Sequence, residues 1–473
     1  MGTKSDVYVI LGSQFGDESK GGISYHLVPD TDWSVRFNGG NNAGHEVEGK
    51  KLHYLPAGIL RGTKVGLGNG MVIYPPAIFE EMAENGIPSE LIEKVHISER
   101  AHVTLPSHIV MDGLLGIIQG SMSAKSTFRG IAPTYGDKAY RLGITFSDLL
   151  EQDTLENKME HIMGYHRNIF ESYKQHLPAI EASMKEKFKG KGEEMFQDAV
   201  SLGPTELTKK YCEIGKTLSD NIVDLSIILT NAYFEKNEKI VFEGAQGFLL
   251  DVDLGIYPYG TSSNMFSIES DAGFPLGNVP AKHKKVVGVV KLPMSRVGGG
   301  CKPTKIGGEL EDRLREKGKE YGTTTGRPRD VCWPCEVMVR NAVRNCGINN
   351  LAIVKTDVFG GMKEPIKVNT YYSHENMLFN DSLPASMKIF ESMVPHYREE
   401  EPWPDRTKEQ WIDDAQEGLS ALHESHREFL ANFAKRVNAY NFLSGGNVTI
   451  SLGPSDKAKF TVKLNYLAED ATL

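Results

Sequence analysis

Residues Leu11 to Gly22 read LGSQFGDESKGG, and the apolar run Asp6 to Leu11, DVYVIL, leads directly into them. An apolar run followed at once by a glycine-rich turn is typical of a buried strand that ends in a phosphate-binding loop. Backbone N–H groups around Gly16 and Gly21 could face phosphate oxygens, with Lys20 supplying a positive charge. The P-loop pattern, GxxxxGK followed by Ser or Thr, is absent. The loop alone therefore does not identify a nucleotide site.

Two acids in this loop, Asp17 and Glu18, need an explanation. A carboxylate about 4 Å from a phosphate costs roughly 4 kcal/mol at an effective dielectric constant near 20. Asp17 could bind Mg²⁺ between itself and the phosphates, or it could remove a proton from a substrate. It could also cap the following helix, with Lys20 in solvent. The loop by itself leaves these interpretations open.

The rest of the chain alternates strand-like and helix-prone segments, which predicts an α/β fold around a mostly parallel mixed sheet. Further strand candidates are Lys239 to Phe242, Lys285 to Leu292, Leu351 to Val354 and Val448 to Ser451. We expect a helical subregion over about 145–235. Between Trp411 and Val437 apolar residues recur at helical spacing, which predicts helix packed against a core. Charge and prolines predict a surface loop at Glu399 to Asp405, EEEPWPD. No repeat or clean linker marks a domain boundary, so the number of domains over residues 1–473 has to come from where the motifs fall.

Composition narrows the function. The 473 residues are 40% hydrophobic and 24% charged, and the formal net charge of −9 argues against a nucleic-acid binder. No apolar stretch is long enough for a membrane span or a signal-peptide core, which predicts a cytoplasmic protein without membrane contact. Five cysteines do not suggest a disulfide framework. The pair Cys332 and Cys335 has redox-motif spacing, but no second pair accompanies it.

Other polar clusters follow the predicted strands. Asn42 to His45 reads NAGH, Phe242 to Asn264 reads FEGAQGFLLDVDLGIYPYGTSSN, and Tyr321 to Arg329 reads YGTTTGRPR, a composition suited to carboxylates or phosphates. Lys355 to Asp357, KTD, stands at the end of a predicted strand, where α/β sheets bind ligands. In such a place an Asp can accept both N1–H and N2–H₂ of guanine, a pairing that adenine cannot reproduce.

Taken together, these stretches resemble the adenylosuccinate synthetase family, in order along essentially the whole chain. The matching pieces are GDESKGG, NAGH, STFRGIAP with DKAYR, FEGAQG with YPYGTSSN, TTTGRPR, KTD and SLGP. The resemblance implies one α/β domain related to the P-loop GTPases. It also implies a ligase that joins L-aspartate to C6 of inosine monophosphate (IMP) with GTP hydrolysis, through a 6-phosphoryl intermediate, giving adenylosuccinate, GDP and phosphate.

The resemblance also assigns roles. Asp17 matches the family's general base and, with the carbonyl of Gly44, its Mg²⁺ ligand, while His45 matches the acid. The residues implied for GTP are Gly16, Glu18, Lys20, Gly21, Gly44, Arg329, Lys355, Asp357, Ser451 and Gly453. Those implied for the nucleotide substrate are Asn42, Thr127, Gln246, Thr261 and Arg141, the last corresponding to an arginine inserted into the neighbouring subunit's site, which implies a homodimer. Thr323, Thr324, Thr325 and Arg327 would receive L-aspartate.

Departures from the family pattern leave alternatives open. Ser19 and Phe128 stand where the family has Gly, Gly22 replaces a Lys, Pro328 replaces an Arg, and Asn41 replaces a His of many relatives. Extra sequence lies near 185–205 and 395–410. One alternative is a viral branch of the family that acts on (deoxy)guanylate, although some of its members lack the catalytic Asp that is present here. The other is a non-catalytic nucleotide-binding protein on the same fold.

Overall fold

The computed structural model describes residues 4–27, 29–120, 127–188, 190–296, 298–322, 326–438, 443, 445–453, 455–464 and 467. Contacts divide the chain into two compact units, each assembled from separated stretches of sequence. The first unit contains Asp30–Ala245 and Thr261–Pro280, with Lys4 and Ser5. The second contains Asp6–Pro29, Gln246–Gly260 and the described residues from Ala281 onward. The single domain over 1–473 stays a prediction.

The first unit holds a parallel sheet and most of the described helices. Its strands are β2 (Trp33–Gly39), β3 (His45–Val47), β4 (Lys50–Leu52), β5 (Lys64–Ile73), β6 (Val95–Ser98), β7 (His102–Val103), β8 (Ile222–Val223) and β9 (Ile240–Glu243). Its helices are α2 (Pro76–Glu84), α3 (Pro106–Gln119), α4 (Ile131–Tyr140), α5 (Gln152–Ser172), α6 (Leu177–Lys187), α7 (Gly192–Val200), α8 (Pro204–Thr217), α9 (Leu225–Phe234) and α10 (Ile268–Asp271). Strands β9, β2, β5, β6 and β8 lie side by side in that order, all parallel.

Helix α7 lies within the extra sequence near 185–205, helix α6 ends where that sequence begins, and both pack on α3. Their apolar residues, among them Ile180, Met184 and Phe196, form a buried cluster with Ile109 and Leu114 of α3. An apolar cluster of this kind holds a helical pair in one place because separating it would expose its buried surface to water. The extra sequence is therefore part of the packed interior of this unit.

The second unit holds another mostly parallel sheet. Its strands are β1 (Val7–Gly12), β10 (Lys284–Lys291), β11 (Met294–Arg296), β12 (Asp330–Cys332), β13 (Asn350–Val354), β14 (Ile366–His374), β15 (Met377–Phe379), β16 (Val394–Glu400), β17 (Asn447–Ser451) and β18 (Lys459–Lys463). Its helices are α1 (Lys20–Leu27), α11 (Gly308–Gly318), α12 (Glu336–Cys346), α13 (Met387–Ser392), α14 (Lys408–Glu417) and α15 (Glu424–Arg436). Strands β1, β10, β13 and β17 are parallel, and β18 closes the edge antiparallel to β17.

Parallel strands bring their carboxyl ends to one edge of a sheet, and this decides where the motifs meet. In the register of the second unit, Val354 pairs with Ser451 and with Lys291 of β10. The phosphate loop after β1, the KTD motif after β13 and the SLGP motif after β17 consequently follow neighbouring strands at the same edge. The predicted α/β class with a mostly parallel mixed sheet is confirmed, as are the five strand candidates.

One local prediction was wrong. Glu399 to Asp405 is not simply a surface loop, because Glu399 and Glu400 end strand β16 and Trp403 is 2% exposed. The indole of Trp403 stacks on the ring of His426, with centroids 3.9 Å apart. The neighbouring acids and prolines made the segment look like a surface loop, although the buried side chain of Trp403 holds it against the protein.

A buried cluster of two histidines and an aspartate fixes helix α4, which lies between Thr127 and Arg141. The backbone N–H of Leu105 donates to Nδ1 of His108 at 2.8 Å, so the proton of the neutral ring is on Nε2, 2.9 Å from Oδ2 of Asp137. Nε2 of His166 lies 2.8 Å from the same oxygen. The spacing could suit a metal ion, but a metal would need a bare Nε2 on His108, so the geometry is that of a hydrogen-bond network.

Charge supports the same interpretation. Burial lowers the pKa of His108 to about 4, which keeps its ring neutral near pH 7. Burial would raise the pKa of Asp137, but hydrogen bonds from the two histidines hold it well below its usual range. The Asp137 carboxylate is therefore ionised near pH 7 and accepts one hydrogen bond from each histidine.

We expect Asp137→Asn to lower the free energy of unfolding by about 3 kcal/mol, because an amide cannot replace a buried charge that accepts two N–H groups. Urea unfolding at pH 7.5 measures this. Asp220→Asn, at an exposed position, should change stability by less than about 0.5 kcal/mol. EDTA should leave both unfolding midpoints unchanged, and equal stability of the two variants would contradict the role given to Asp137.

Candidate active site

The phosphate loop is closed from inside by Glu18, which is fully buried. One carboxylate oxygen accepts the backbone N–H groups of Gln14 at 3.1 Å and Gly16 at 2.8 Å, and the other lies 2.8 Å from Nζ of Lys20. Both oxygens of this carboxylate are therefore occupied by contacts within the loop. Glu18 thus shapes the loop and neutralises Lys20, instead of presenting its charge to a bound phosphate.

Backbone conformation sets the direction of the remaining loop groups. Gly16, Asp17 and Ser19 have positive φ angles of 83°, 60° and 63°. The left-handed region costs an L-residue roughly 1 kcal/mol or more, and such strain clusters where the surroundings impose it. It turns the carboxylate of Asp17 outward, where 39% of the side chain is exposed, while Glu18 points inward.

Close backbone packing explains two of the glycines in this region. A Cβ built on Gly12 would lie 2.4 Å from Oε2 of Glu18 and 2.6 Å from the carbonyl oxygen of Gln246. A Cβ on Gly247 would lie 2.4 Å from the nitrogen of Gly16. The loop and the GAQG stretch are therefore in contact through backbone that only glycine permits.

Asp17 is the first member of a chain of charged contacts. Nη2 of Arg329 lies 2.9 Å from Oδ2 of Asp17, and Nη1 of the same guanidinium lies 3.0 Å from Oε2 of Glu320. Glu320 is 0% exposed and also contacts Nζ of Lys291 at 3.2 Å and Nζ of Lys355 at 2.6 Å. The structure thus connects the predicted base, Arg329 and Lys355 of the KTD motif through one buried acid.

Sequence reasoning did not identify Glu320, although it directly precedes the YGTTTGRPR stretch. Burial alone would raise the pKa of this carboxyl, but its cations, Lys291 first, then Lys355 and Arg329, hold it well below the usual range. No periodicity or motif marks a single Glu as the partner of three distant cations. The signal available was only its position beside the predicted anion-binding loop.

The KTD and SLGP motifs, predicted to recognise a base, follow neighbouring strands β13 and β17. Lys355 has a φ of 64°, and its Nζ is 2.6 Å from both the carbonyl oxygen of Gly318 and Oε1 of Glu320. Oδ1 of Asp357 is buried without a hydrogen-bond partner among the described residues, and burial raises the pKa of this carboxyl to about 6. Oγ of Ser451 donates to the carbonyl oxygen of Gly453 at 3.0 Å. A buried carboxylate oxygen without a partner is the acceptor that a guanine edge requires.

In the first unit, His45 lies in a second charged cluster. Nη1 of Arg36 is 3.2 Å from Nδ1 of His45 and 3.1 Å from Oε1 of Glu243, and Nε2 of His45 is 3.3 Å from that same oxygen. Because Arg can only donate, Nδ1 accepts and the neutral imidazole carries its proton on Nε2. The strand register explains the cluster, since Arg36 of β2 pairs with Glu243 of β9.

Arg36 and Glu243 are further residues that sequence reasoning missed, although Glu243 lies in FEGAQG and Arg36 shortly precedes NAGH. The same strands position Asn38, whose Nδ2 donates to the carbonyl oxygen of Asn264 at 2.6 Å and whose Oδ1 accepts the N–H of Ala245 at 2.8 Å. These contacts join the ends of β2 and β9 to the TSSN stretch. Asn42, Gly44 and Thr261 lie in loops of this unit and are partly buried.

The remaining predicted residues are distributed as follows. Gln246 adopts a φ of 51° beside Gly247 in the second unit. Arg327 is exposed, and its carbonyl oxygen accepts the N–H of Gly322 at 2.8 Å. Gly21 and Lys20 begin helix α1. Thr323, Thr324 and Thr325 lie outside the described residues.

Comparison with known proteins identifies related sequences along most of the chain. The family profile described as adenylosuccinate synthetase matches residues 9–440. The adenylosuccinate synthetase of Shouchella clausii (strain KSM-K16) is 37% identical over 403 residues, covering 84% of this chain and 87% of that protein. That of Lactobacillus gasseri is 36% identical over 461 residues, covering 96% and 98%.

This chain belongs to the adenylosuccinate synthetase family. It is therefore a C–N ligase of the purine pathway that uses GTP as co-substrate. The solved structure of fully ligated adenylosuccinate synthetase from Plasmodium falciparum has a TM-score of 0.79 at 28% identity and covers 97% of this chain and 100% of that one. The succinoaminodeoxyadenylate synthetase of cyanophage S-2L, bound to dGMP and dATP, has a TM-score of 0.54 at 16% identity, which shows the fold alone.

Two departures from the adenylosuccinate synthetase pattern now have a physical account. Ser19 and Phe128, which replace family glycines, both have positive φ, 63° and 55°. Glycine adopts this region without strain, so the family residue reflects a demand of the backbone that this chain meets with L-residues. Gly22, which replaces a Lys, has open space where a Cβ would be.

Phe128 is held in its strained conformation by packing. A Cβ on Gly113 of α3 would lie 2.6 Å from the Phe128 ring, and Nζ of Lys187 lies 5.3 Å from the centroid of that ring. The same Nζ donates to the carbonyl oxygen of Thr127. Oδ2 of Asp112 accepts the backbone N–H groups of Arg129 at 2.9 Å and Gly130 at 3.1 Å. Helices α3 and α6 thus fix the turn that the adenylosuccinate synthetase resemblance assigns to the nucleotide.

Ser19→Gly and Phe128→Gly should change stability in opposite directions. Ser19 is exposed, so glycine there should relieve strain and leave the free energy of unfolding equal or up to about 1 kcal/mol higher. Phe128→Gly also relieves strain but removes aromatic packing on α3, and it should lower the free energy of unfolding by about 2 kcal/mol. Chemical unfolding of both variants measures the difference. A Phe128→Gly protein as stable as Ser19→Gly would contradict the packing account.

Proposed function

We propose that this protein condenses L-aspartate with C6 of IMP and hydrolyses GTP to drive the reaction. The proposal rests on one observation above all, the outward-turned carboxylate of Asp17 in a loop whose other acid, Glu18, is fully committed to the loop itself. The partly exposed carboxylate of Asp17 is therefore available to accept a proton from a substrate. The family membership over residues 9–440 supports the same reaction.

The chemistry explains why a base is needed. The C6 oxygen of a 6-oxopurine is a poor leaving group, so an amine cannot displace it directly. Removal of the N1 proton by Asp17 makes O6 nucleophilic toward the γ-phosphoryl group of GTP, and the aspartate amine then expels phosphate from C6. His45, with its proton on Nε2, can donate toward the charge that develops as GTP is cleaved.

Mg²⁺ belongs to the proposal because the donors present are oxygens, which this cation prefers. The partly exposed carboxylate of Asp17, the carbonyl of Gly44 and GTP oxygens would hold the ion. When bound, it neutralises charge on the transferring phosphoryl group. The Arg329 guanidinium, 2.9 Å from Asp17, shows that this carboxylate already accepts a cationic partner.

The remaining assignments divide between the two units. We assign Lys355, Asp357, Ser451 and Gly453 to the guanine of GTP, and Lys20, Gly21, Gly16 and Arg329 to its phosphates. Asn42, Thr127, Gln246 and Thr261 are assigned to the nucleotide substrate, and Arg327 to the carboxylate of L-aspartate. Arg141 is exposed at the end of α4, with a φ of 64°, and we propose that it completes the site of a second copy in a homodimer.

No helix among the described residues is both long and apolar enough to cross a membrane, and a cytoplasmic location stays a prediction.

Nucleotide selectivity tests the proposal. Purified protein with GTP, Mg²⁺ and L-aspartate should release phosphate and form adenylosuccinate from IMP, and it should act at least tenfold less efficiently on GMP or dGMP. Asp17→Ala should abolish turnover while GTP binding stays within about threefold, because the base is lost and the guanine site is not. Turnover of guanylate alone would replace IMP with the viral-type substrate. GTP binding without turnover of any of the three would favour a non-catalytic protein.

Asp357 gives the site a predicted pH dependence. Because the pKa of this carboxyl is raised to about 6, GTP affinity should fall as the pH drops through 6 and the acceptor becomes protonated. Asp357→Asn should weaken GTP binding at least tenfold at pH 8, where the wild-type group is ionised. Isothermal titration calorimetry between pH 5.5 and 8 measures both effects.

The same raised pKa predicts a change in stability without ligand. The folded state disfavours the ionised carboxyl, so Asp357→Asn should be more stable than wild type. This gain should grow as the pH rises from about 4, the ordinary value, to about 6, and stay constant above. Asp413→Asn, at an exposed position of α14, serves as the control and should show neither effect. Unchanged GTP affinity in Asp357→Asn would remove this residue from base recognition.

A further inference from the structure

Cations around the phosphate loop have carboxylate partners in the described residues. Lys20 pairs with Glu18, and Arg329 lies between Asp17 and Glu320. Lys291, fully buried at the end of β10, also contacts Glu320. Because a buried charge without a counter-charge is strongly unfavourable, this pairing is what a ligand-free site requires.

Arg296 is an exception among the described residues. It ends strand β11, is 4% exposed, and its guanidinium carbon lies 4.9 Å from the ring centroid of Phe15, a residue of the phosphate loop. Nη2 donates to the carbonyl oxygen of Tyr259 at 2.8 Å. Nε and Nη1 are buried without a hydrogen-bond partner among the described residues. Burial lowers the pKa of this guanidinium to about 10, so it remains charged near neutral pH.

The acid beside Arg296 does not compensate this charge. Asp330 of β12 is its partner in the antiparallel register, yet the Asp330 carboxylate lies 2.6 Å from Nζ of Lys302 and 2.5 Å from Nζ of Lys305. Two lysines thus share the Asp330 carboxylate, and Glu311 lies 4.0 Å from Nζ of Lys305. Arg36 in the first unit shows the contrast, since that buried guanidinium has Glu243.

The backbone of Gly300 packs closely beside the unpartnered nitrogen Nη1. A Cβ built on Gly300 would lie 3.1 Å from Nη1 of Arg296, and this glycine has a φ of 92°. Any larger residue there would be strained and would crowd the guanidinium. The ring of Tyr259, from the YPYG stretch, lies on the same side, 3.0 Å from the same built atom.

We propose that Arg296 is an anion-binding residue of this site, which takes a phosphate or carboxylate oxygen delivered by one of the three substrates. Nε and Nη1 lie on different sides of the planar guanidinium, so each can donate to one oxyanion oxygen, and the contact with Phe15 places Arg296 beside the phosphate loop. Neither the sequence motifs nor the family resemblance assigned a role to this residue. The inference rests on the proposed function for the identity of the substrates.

Arg296→Met removes the charge and keeps much of the apolar volume, and Arg296→Lys keeps the charge without the fork. We expect Arg296→Met to raise the KM of one substrate, IMP, GTP or L-aspartate, at least tenfold, with the other two within threefold. Arg296→Lys should give an intermediate value for the same substrate. Arg313→Met, at an exposed position of α11, is the matched control and should leave all three KM values unchanged.

Equilibrium binding separates this inference from the proposed function. Calorimetry with GTP, IMP or L-aspartate alone should show the same single loss of affinity in Arg296→Met. If wild type makes no adenylosuccinate from IMP, the proposed function fails while the binding measurement still tests Arg296. Unchanged dissociation constants, or an equal loss for all three ligands with a lower unfolding midpoint, would show a structural role and overturn the inference. Should Arg296→Met not fold, Arg296→Gln and Arg296→Lys decide by the same criteria.

Discussion

The buried carboxylate of Glu320 is the interaction on which the charged cluster beside the phosphate loop depends. It is 0% exposed and contacts Lys291, Lys355 and Arg329, which come from three separated parts of the sequence. Removing it would leave three cations facing each other in a region with little water to screen them. Through Arg329 its influence reaches Asp17, so the orientation of the proposed base and of the guanine motif share one electrostatic origin.

Buried acids hold neighbouring groups in place elsewhere within each unit. Glu18 orders the backbone of the phosphate loop, and Glu243 holds Arg36 and His45. Glu320, Glu18 and Glu243 are all 0% exposed, so none of them presents its negative charge to a phosphate. The acid with substantial exposure at the loop is Asp17, and the left-handed backbone accounts for that difference. The two acids of the phosphate loop therefore differ, since Glu18 is committed to the loop and Asp17 is turned outward.

Sequence reasoning predicted the elements that have strong local signals. The strands around Val7–Gly12, Lys284–Lys291 and Asn350–Val354 are apolar runs bounded by turns, and the motifs follow them at the predicted edge. It missed Glu320, Glu243 and Arg296, because the role of a single charged residue depends on partners that are distant in the sequence. It also read Trp403 as part of a surface loop, since the acids and prolines around it outweigh one indole. In each case the missing information was a tertiary contact.

The sequence by itself determined the α/β class, the order of the motifs along the chain and the family to which the chain belongs. These follow from hydrophobic periodicity and from residue types at fixed spacing, which are local properties. Only the tertiary structure decided which charges are paired, which backbone angles are left-handed and which donors stay unsatisfied. Those properties depend on burial and on distances between segments hundreds of residues apart. Desolvation makes such contacts decisive for stability and for chemistry, and it is set only when the chain has folded.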